Sequence, residues 1–165
     1  MSSSTPETFT AAIITVSDSC TRGERDDLSG PAVAQLLRQK AFSIVGSEIV
    51  PDEQSAIQSA ILLWVDEARL VVTTGGTGIG ERDVTPEATS AICSRLLNGV
   101  AERMRAEGAK KTPLAALSRG VCGVRKNSLV LNLPGSPRGA VESLEAVIDL
   151  LPHALQLLSG SVEHS

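Results

Sequence analysis

Four short aliphatic or β-branched runs recur along the chain: Ala11 to Val16 (AAIITV), Ile44 to Val50, Leu70 to Thr74 and Leu129 to Leu133 (LVLNL). Each is bounded by turn residues and followed by apolar positions at helical spacing. Near-continuous apolar runs of this length mark strands covered on both faces. The alternation therefore predicts an α/β fold with a mostly parallel sheet between helical layers. The Ile44 to Val50 run is less apolar and is expected nearer an edge. Helix starts are signalled at Ser29-Gly30-Pro31, Asp52-Glu53, Thr85-Pro86-Glu87 and Ser136-Pro137, each offering a capping residue and three of them a proline just inside. Ile57, Ala60, Ile61, Trp64 and Val65 form one apolar stripe; Val141, Leu144, Ile148, Leu151, Leu155 and Leu158 form another. Pro152 falls inside the second stripe and should kink or restart that helix. Leu97 to Ser128 carries an amphipathic Val100 to Ala109 followed by mixed polar and glycine-bearing sequence that predicts no element.

No repeat or long linker divides the chain, so residues 10–160 read as a single domain behind a disordered leader (1–9) and before a flexible tail (161–165). At 165 residues the chain is large enough to bury roughly 70% of its unfolded surface in one core. Cys20, Cys93 and Cys122 are odd in number and widely spaced, which argues against a disulfide framework or a structural zinc site and fits a reducing cytoplasm. No apolar run reaches the roughly 18 residues of a membrane span, so no membrane partner is expected. A net charge of −4 and an aromatic content of 2% exclude the basic face and stacking platforms of nucleic-acid binders.

The chemistry gathers first after the third run. There Thr74-Gly-Gly-Thr-Gly-Ile-Gly80 leads into Glu81, Arg82 and Asp83 before a helix start. Gly75, Gly76, Gly78 and Gly80 permit backbone dihedrals that side chains forbid, so several N–H groups can converge on a phosphate oxygen. Thr74 and Thr77 add hydroxyls, and Arg82 adds a positive fork. Two familiar phosphate loops are excluded. Glu81 stands where a P-loop needs lysine, and it also occupies the third glycine position of a dinucleotide fingerprint. Asp83 would repel a phosphate unless a cation lies between them or it handles a proton.

Parallel sheets bind ligands outside the carboxyl ends of their strands, and unusual residues follow all four runs. They are Ser17-Asp18-Ser19 with Asp26-Asp27-Leu28-Ser29-Gly30, then Pro51-Asp52, the glycine loop with Asp83, and Pro134-Gly135-Ser136-Pro137. Taken singly, Asp52 is either an N-cap or a site residue, Asp18 and Asp27 either brace turns or face a ligand, and Ser136 either caps a helix or binds an anion. Taken together, carboxylates beside glycine amides and helix N-termini suggest Mg²⁺ bridging carboxylate and phosphate oxygens. His153 and His164 lie far from these loops, and Cys20 has no histidine to activate it.

With these residues in view, the chain resembles the molybdopterin adenylyltransferase family, the Mog-like and MoaB-like proteins that include the G domain of gephyrin and its plant counterpart. The resemblance spans roughly Ala11 to Ser159. It rests on Thr15-Val-Ser-Asp18, Asp27-x-Ser-Gly-Pro31, Val50-Pro-Asp52, Thr74-Gly-Gly-Thr-Gly78, Arg82-Asp-Val-Thr-Pro-Glu-Ala88, Leu117-Ser-Arg-Gly120 and Asn132-Leu-Pro-Gly-Ser136. It implies a three-layer α/β fold, a homo-oligomer that is commonly a trimer, and molybdopterin, ATP and Mg²⁺ as reactants and cofactor. The implied reaction is attack of the terminal phosphate of molybdopterin on the α-phosphate of ATP, giving adenylyl-molybdopterin and pyrophosphate. By the same resemblance Asp52 and Asp83 match the acidic positions associated with the reaction; Asp52 is then expected to hold Mg²⁺, and Asp83 to orient the pterin or assist the metal. Ser17, Asp18, Asp27, Thr74, Gly75, Gly76, Thr77, Gly78, Arg82, Pro134, Gly135 and Ser136 make up the expected ligand-binding set. The rival functions are a molybdopterin carrier of the same fold without turnover and a trimeric scaffold.

Overall fold

The computed structural model describes residues 8–160, so most of the expected leader and the whole of the expected tail lie outside the described residues. The strands are β1 (Phe9–Val16), β2 (Phe42–Val50), β3 (Leu70–Thr74), β4 (Arg95–Leu96), β5 (Cys122–Arg125) and β6 (Ser128–Leu133). The helices are α1 (Asp18–Thr21), α2 (Ser29–Gln39), α3 (Gln54–Trp64), α4 (Thr85–Ile92), α5 (Asn98–Ala109), α6 (Pro137–Val147) and α7 (Leu151–Ser159). All four predicted strands are present. β1 begins two residues early, so Phe9, expected in the leader, is buried strand pairing with Phe42.

The sheet order is β2-β1-β3-β6-β5-β4. The first four strands pair in parallel and the last two antiparallel. β2 is the edge strand the sequence suggested, with burial alternating along it. Nothing in the sequence pattern predicts the antiparallel extension: β4 is two exposed residues, and β5 reads CGVR, too short and mixed for a period to register. β5 returns to β6 through Lys126-Asn127, with Lys126 at φ 54, the left-handed backbone that tight hairpins require.

The near-continuous apolar runs are explained by two cores. On one face Ile13, Leu70, Val72, Leu129 and Leu131 pack against α2, α5, α6 and α7. On the other Ala12, Ile14, Val71 and Val130 pack against α3 and α4. Both apolar stripes face these cores, and the second is interrupted as expected: a 3-10 turn at Ile148–Leu150 precedes α7, with Pro152 in its first turn.

One polar residue breaks the β6 run. Asn132, 1% exposed, donates to the hydroxyls of Thr73 and Thr89, both at 3.0 Å, and accepts from the Val121 N–H at 3.2 Å. It thereby ties β3, α4 and the approach to β5 to one side chain. Asn132→Leu keeps the branched outline and adds apolar surface, yet takes the partner from two buried hydroxyls and from the half-buried Val121 N–H. It is expected to destabilise the fold by about 2 kcal/mol in urea unfolding. An unchanged or raised midpoint would show that the network adds nothing.

Candidate active site

The chain runs from β1 outward to β2 and then back across β1 to β3, so the direction of winding reverses between β1 and β3. Loops leaving those two strands diverge to opposite faces and open a crevice at their carboxyl ends. A cleft of about 320 Å³ lies there. Its walls include Ser17, Asp27, Asp52, Thr74, Gly75, Gly76, Asp83, Gly135 and Ser136, which the sequence singled out. They come from the ends of all four parallel strands, so Asp52 and Asp83 share one rim although 31 positions apart in sequence.

Backbone contacts set the glycine loop. Gly75 has φ 94, and a Cβ there would stand 2.3 Å from the Val16 carbonyl oxygen; Gly76 has φ 70, and a Cβ would meet the Thr85 hydroxyl at 2.2 Å. Those close approaches require glycine. The Gly75 N–H donates to Leu133 O at 3.0 Å, the Thr85 N–H to Gly76 O at 3.1 Å and the Thr85 hydroxyl to Gly75 O at 2.9 Å, fastening the turn to β6 and α4. Beyond these bonds, the N–H groups of Gly76, Thr77, Gly78 and Ile79 meet no acceptor among the described residues. Successive unpaired amides in a glycine turn form a concavity suited to an anion.

The carboxylates divide into two kinds. Asp27 accepts from the Gly30 N–H at 3.0 Å and the Thr15 hydroxyl at 2.8 Å, so it braces the start of α2 while lining the cleft. Asp18 and Asp52 are reciprocally bonded, each backbone N–H donating to the other's carboxylate, at 2.9 and 3.0 Å. Asp52 is therefore not the cap of α3, which begins without a side-chain cap after Glu53. The bond from the Asp52 N–H, with the Arg82 guanidinium, holds the Asp18 carboxyl below the usual range. Burial pushes the Asp52 carboxyl up despite its bond from Asp18, and the charges of Asp18 and Asp83 push the same way. Asp83 accepts from the Gly80 N–H at 2.9 Å and folds the loop back on itself. Ser136 accepts from the Gly139 N–H at 3.0 Å, the cap alternative, while still lining the cleft.

Several expectations place differently. Both ends of the Arg82 guanidinium donate to Asp18 at 3.0 Å, so the expected phosphate fork is turned onto a carboxylate. That carboxylate is already fixed by the Asp52 N–H within reach of the arginine. Thr77 is buried, and neither it nor Asp18, Gly78, Arg82 or Pro134 lines the cleft. Arg25, Asp26, Leu28 and Ser29 do line it and were absent from the expected set. Arg25 sits in a solvated, aperiodic stretch with no motif to mark it. Exposed His153 lies on α7, away from the cleft.

Among the described residues no three His, Cys, Asp or Glu side chains are grouped to hold a metal. Mg²⁺ characteristically takes one or two protein carboxylates and completes its shell with water and substrate phosphates. An acid of raised pKa beside two other carboxylates is a place where a divalent cation relieves repulsion. Asp52, with Asp83 across the rim, fits that requirement. The Asp52 carboxyl, followed by NMR in the free protein, is expected to titrate above 3.8, its ordinary value, and to move downward as Mg²⁺ is added. A titration at or below 3.8, insensitive to Mg²⁺, would remove the argument for a cation there.

Comparison with known proteins adds to the geometry. The family described as "Probable molybdopterin binding domain" matches residues 12–153. Molybdopterin adenylyltransferase of Helicobacter pylori strain J99 is 40% identical over 159 residues, covering 94% of this chain and 90% of that enzyme. The molybdenum cofactor synthesis protein cinnamon of Drosophila melanogaster is 42% identical over 159 residues. The alignment covers 94% of this chain but only 26% of that longer protein. Among solved structures, the molybdopterin biosynthesis enzyme MoaB of Thermus thermophilus is 51% identical and superposes with a TM-score of 0.87, covering 92% of this chain and 97% of that one.

Proposed function

Since the chain belongs to the molybdopterin-binding domain family, we propose that it is a molybdopterin adenylyltransferase of molybdenum cofactor biosynthesis. In this reaction a terminal phosphate oxygen of molybdopterin forms a bond to the α-phosphorus of ATP. The bond from that phosphorus to the oxygen bridging to the β-phosphate breaks, and pyrophosphate leaves. The observation that carries the reading is the glycine turn at Gly75 and Gly76, with the Gly76 N–H unpaired, next to Asp52 in the cleft at the carboxyl ends of β1 and β3.

A phosphate nucleophile is already ionised at neutral pH, so no histidine base is needed, and catalysis reduces to positioning and charge neutralisation. The loop amides hold phosphate oxygens, and the capped N-terminus of α6 at Ser136 turns a positive dipole end toward the same space. Asp52, aided by Asp83, would hold Mg²⁺, which would supply charge screening for the approach of the two phosphates. Arg82 acts indirectly, by keeping the Asp18 carboxylate charged and in place to accept the Asp52 backbone N–H. Thr74, hydrogen bonded to Ser29 at 2.9 Å, and Asp27 shape the wall opposite.

The family resemblance further suggests a homotrimer, which sedimentation equilibrium tests, and the free cysteines suit a cytoplasmic location. No described helix is long and apolar enough to cross a membrane. The decisive experiment incubates the purified protein with molybdopterin, ATP and Mg²⁺ and follows adenylylated pterin and pyrophosphate. Pterin binding without either product would assign the chain to a carrier role instead.

A further inference from the structure

The segment Thr77–Asp83 carries the open amides and ends in a rim carboxylate, yet little packing holds it. Ile79 is 73% exposed, and Gly80, Glu81 and Arg82 are exposed as well. What grips it is Arg119, from the stretch of sequence that predicted no element. Its backbone N–H donates to Thr77 O at 2.8 Å, its Nε to Gly78 O at 2.7 Å and its Nη2 to Asp83 O at 2.7 Å. Its Nη1 meets the Glu87 carboxylate at 2.6 Å, which anchors the guanidinium to α4. Arg105 in turn donates to Gly120 O at 3.1 Å, steadying the backbone just after Arg119.

A trans peptide points its C=O and the following N–H in opposite directions. With the carbonyls of Thr77 and Gly78 drawn onto Arg119, the N–H groups of Gly78 and Ile79 must point away from it. These are among the N–H groups that find no acceptor in the described protein. We infer that Arg119 is a positioning residue for the transfer reaction: it leaves the Gly78 and Ile79 amides, which stand just beyond the cleft lining, open to a phosphate reaching past the rim, and it holds Asp83 at that rim, without touching substrate. The inference rests on the adenylyl-transfer reading above. Carbonyls at both ends of the turn and a carboxylate, all met by one planar group, require a guanidinium fork; a lysine ammonium is a single point charge on a flexible stem.

The test compares the wild-type protein with Arg119→Lys and Arg119→Ala, using steady-state kinetics and amide NMR with MgATP and molybdopterin as probes. In the wild type the Gly78 and Ile79 amide signals should shift on ligand addition. In both variants those signals should already differ in the free protein, and kcat should fall roughly a hundredfold with a smaller change in KM. Millimolar guanidinium should restore part of the Arg119→Ala rate. If Arg119→Ala does not fold, Arg119→Lys, which keeps a cation beside Glu87, decides the matter. Wild-type kcat in Arg119→Lys, or lost kcat with unchanged loop signals, would overturn the inference alone. Wild-type loop amides that ignore both ligands would overturn the reading of the site itself.

Discussion

Asp52→Asn is expected to lower adenylyl transfer by roughly two to three orders of magnitude, the scale of losing a principal electrostatic group, while leaving the protein at least as stable at neutral pH. The amide oxygen can still accept the Asp18 N–H, so the link between the loops survives. What disappears is a charge that burial and two carboxylate neighbours disfavour. Asp52 has a folded-state pKa raised above 3.8, so its favourable contribution is the protonated form, present at low pH and lost as pH rises through that raised value. The wild type should therefore gain stability on the variant as pH falls through this window. Urea midpoints measured across pH, alongside turnover at neutral pH, check both halves. Full activity in Asp52→Asn would remove Asp52 from the mechanism; a large stability loss would mean the charge stabilises the fold.

Gly75→Ala carries the second large effect, and for a steric reason. The residue is held at φ 94 with its N–H and C=O both bonded, and the new methyl would lie 2.3 Å from the Val16 carbonyl oxygen, a main-chain atom inside the sheet. Backbone strain and forced displacement of β1 from β3 together should cost about 3 kcal/mol, a fall in melting temperature of roughly 6–12 °C for a chain of this size. Activity should be lost with it, because the same shift moves the loop against Gly135, where the two glycines already pack closely. Gly23→Ala is the control. Gly23 has a similar φ of 73, but the position its new methyl would take has no neighbour within 4 Å, so only the dihedral term of about 1 kcal/mol applies. Equal effects in the two variants would show that the contact with Val16 is irrelevant.

The sequence made much of this cleft legible because parallel sheets impose a rule. Residues just after each apolar run must emerge at one end of the molecule, so Asp18, Asp27, Asp52, Asp83 and Ser136 could be grouped from spacing alone. The lower apolarity of the Ile44 to Val50 run placed β2 at the edge, where burial alternates along the strand. Spacing could not say which way a side chain turns once there. Asp52 reads equally as a helix cap or a site acid, and only its bond to the Asp18 N–H distinguishes them. Arg82 stands in the motif where a phosphate clamp would, and only the position of Asp18 shows it occupied.

What the chain determined by itself, then, was its layers, the edge position of β2 and the end at which the candidate site residues gather, because periodicity and chain direction are local properties. Tertiary structure alone decided the antiparallel β4–β5 extension, the reciprocal lock of Asp18 and Asp52, and the grip of Arg119 on a loop 41 positions earlier. Those depend on hydrogen bonds between segments remote in sequence, and a donor's residue type does not encode which distant acceptor it will meet.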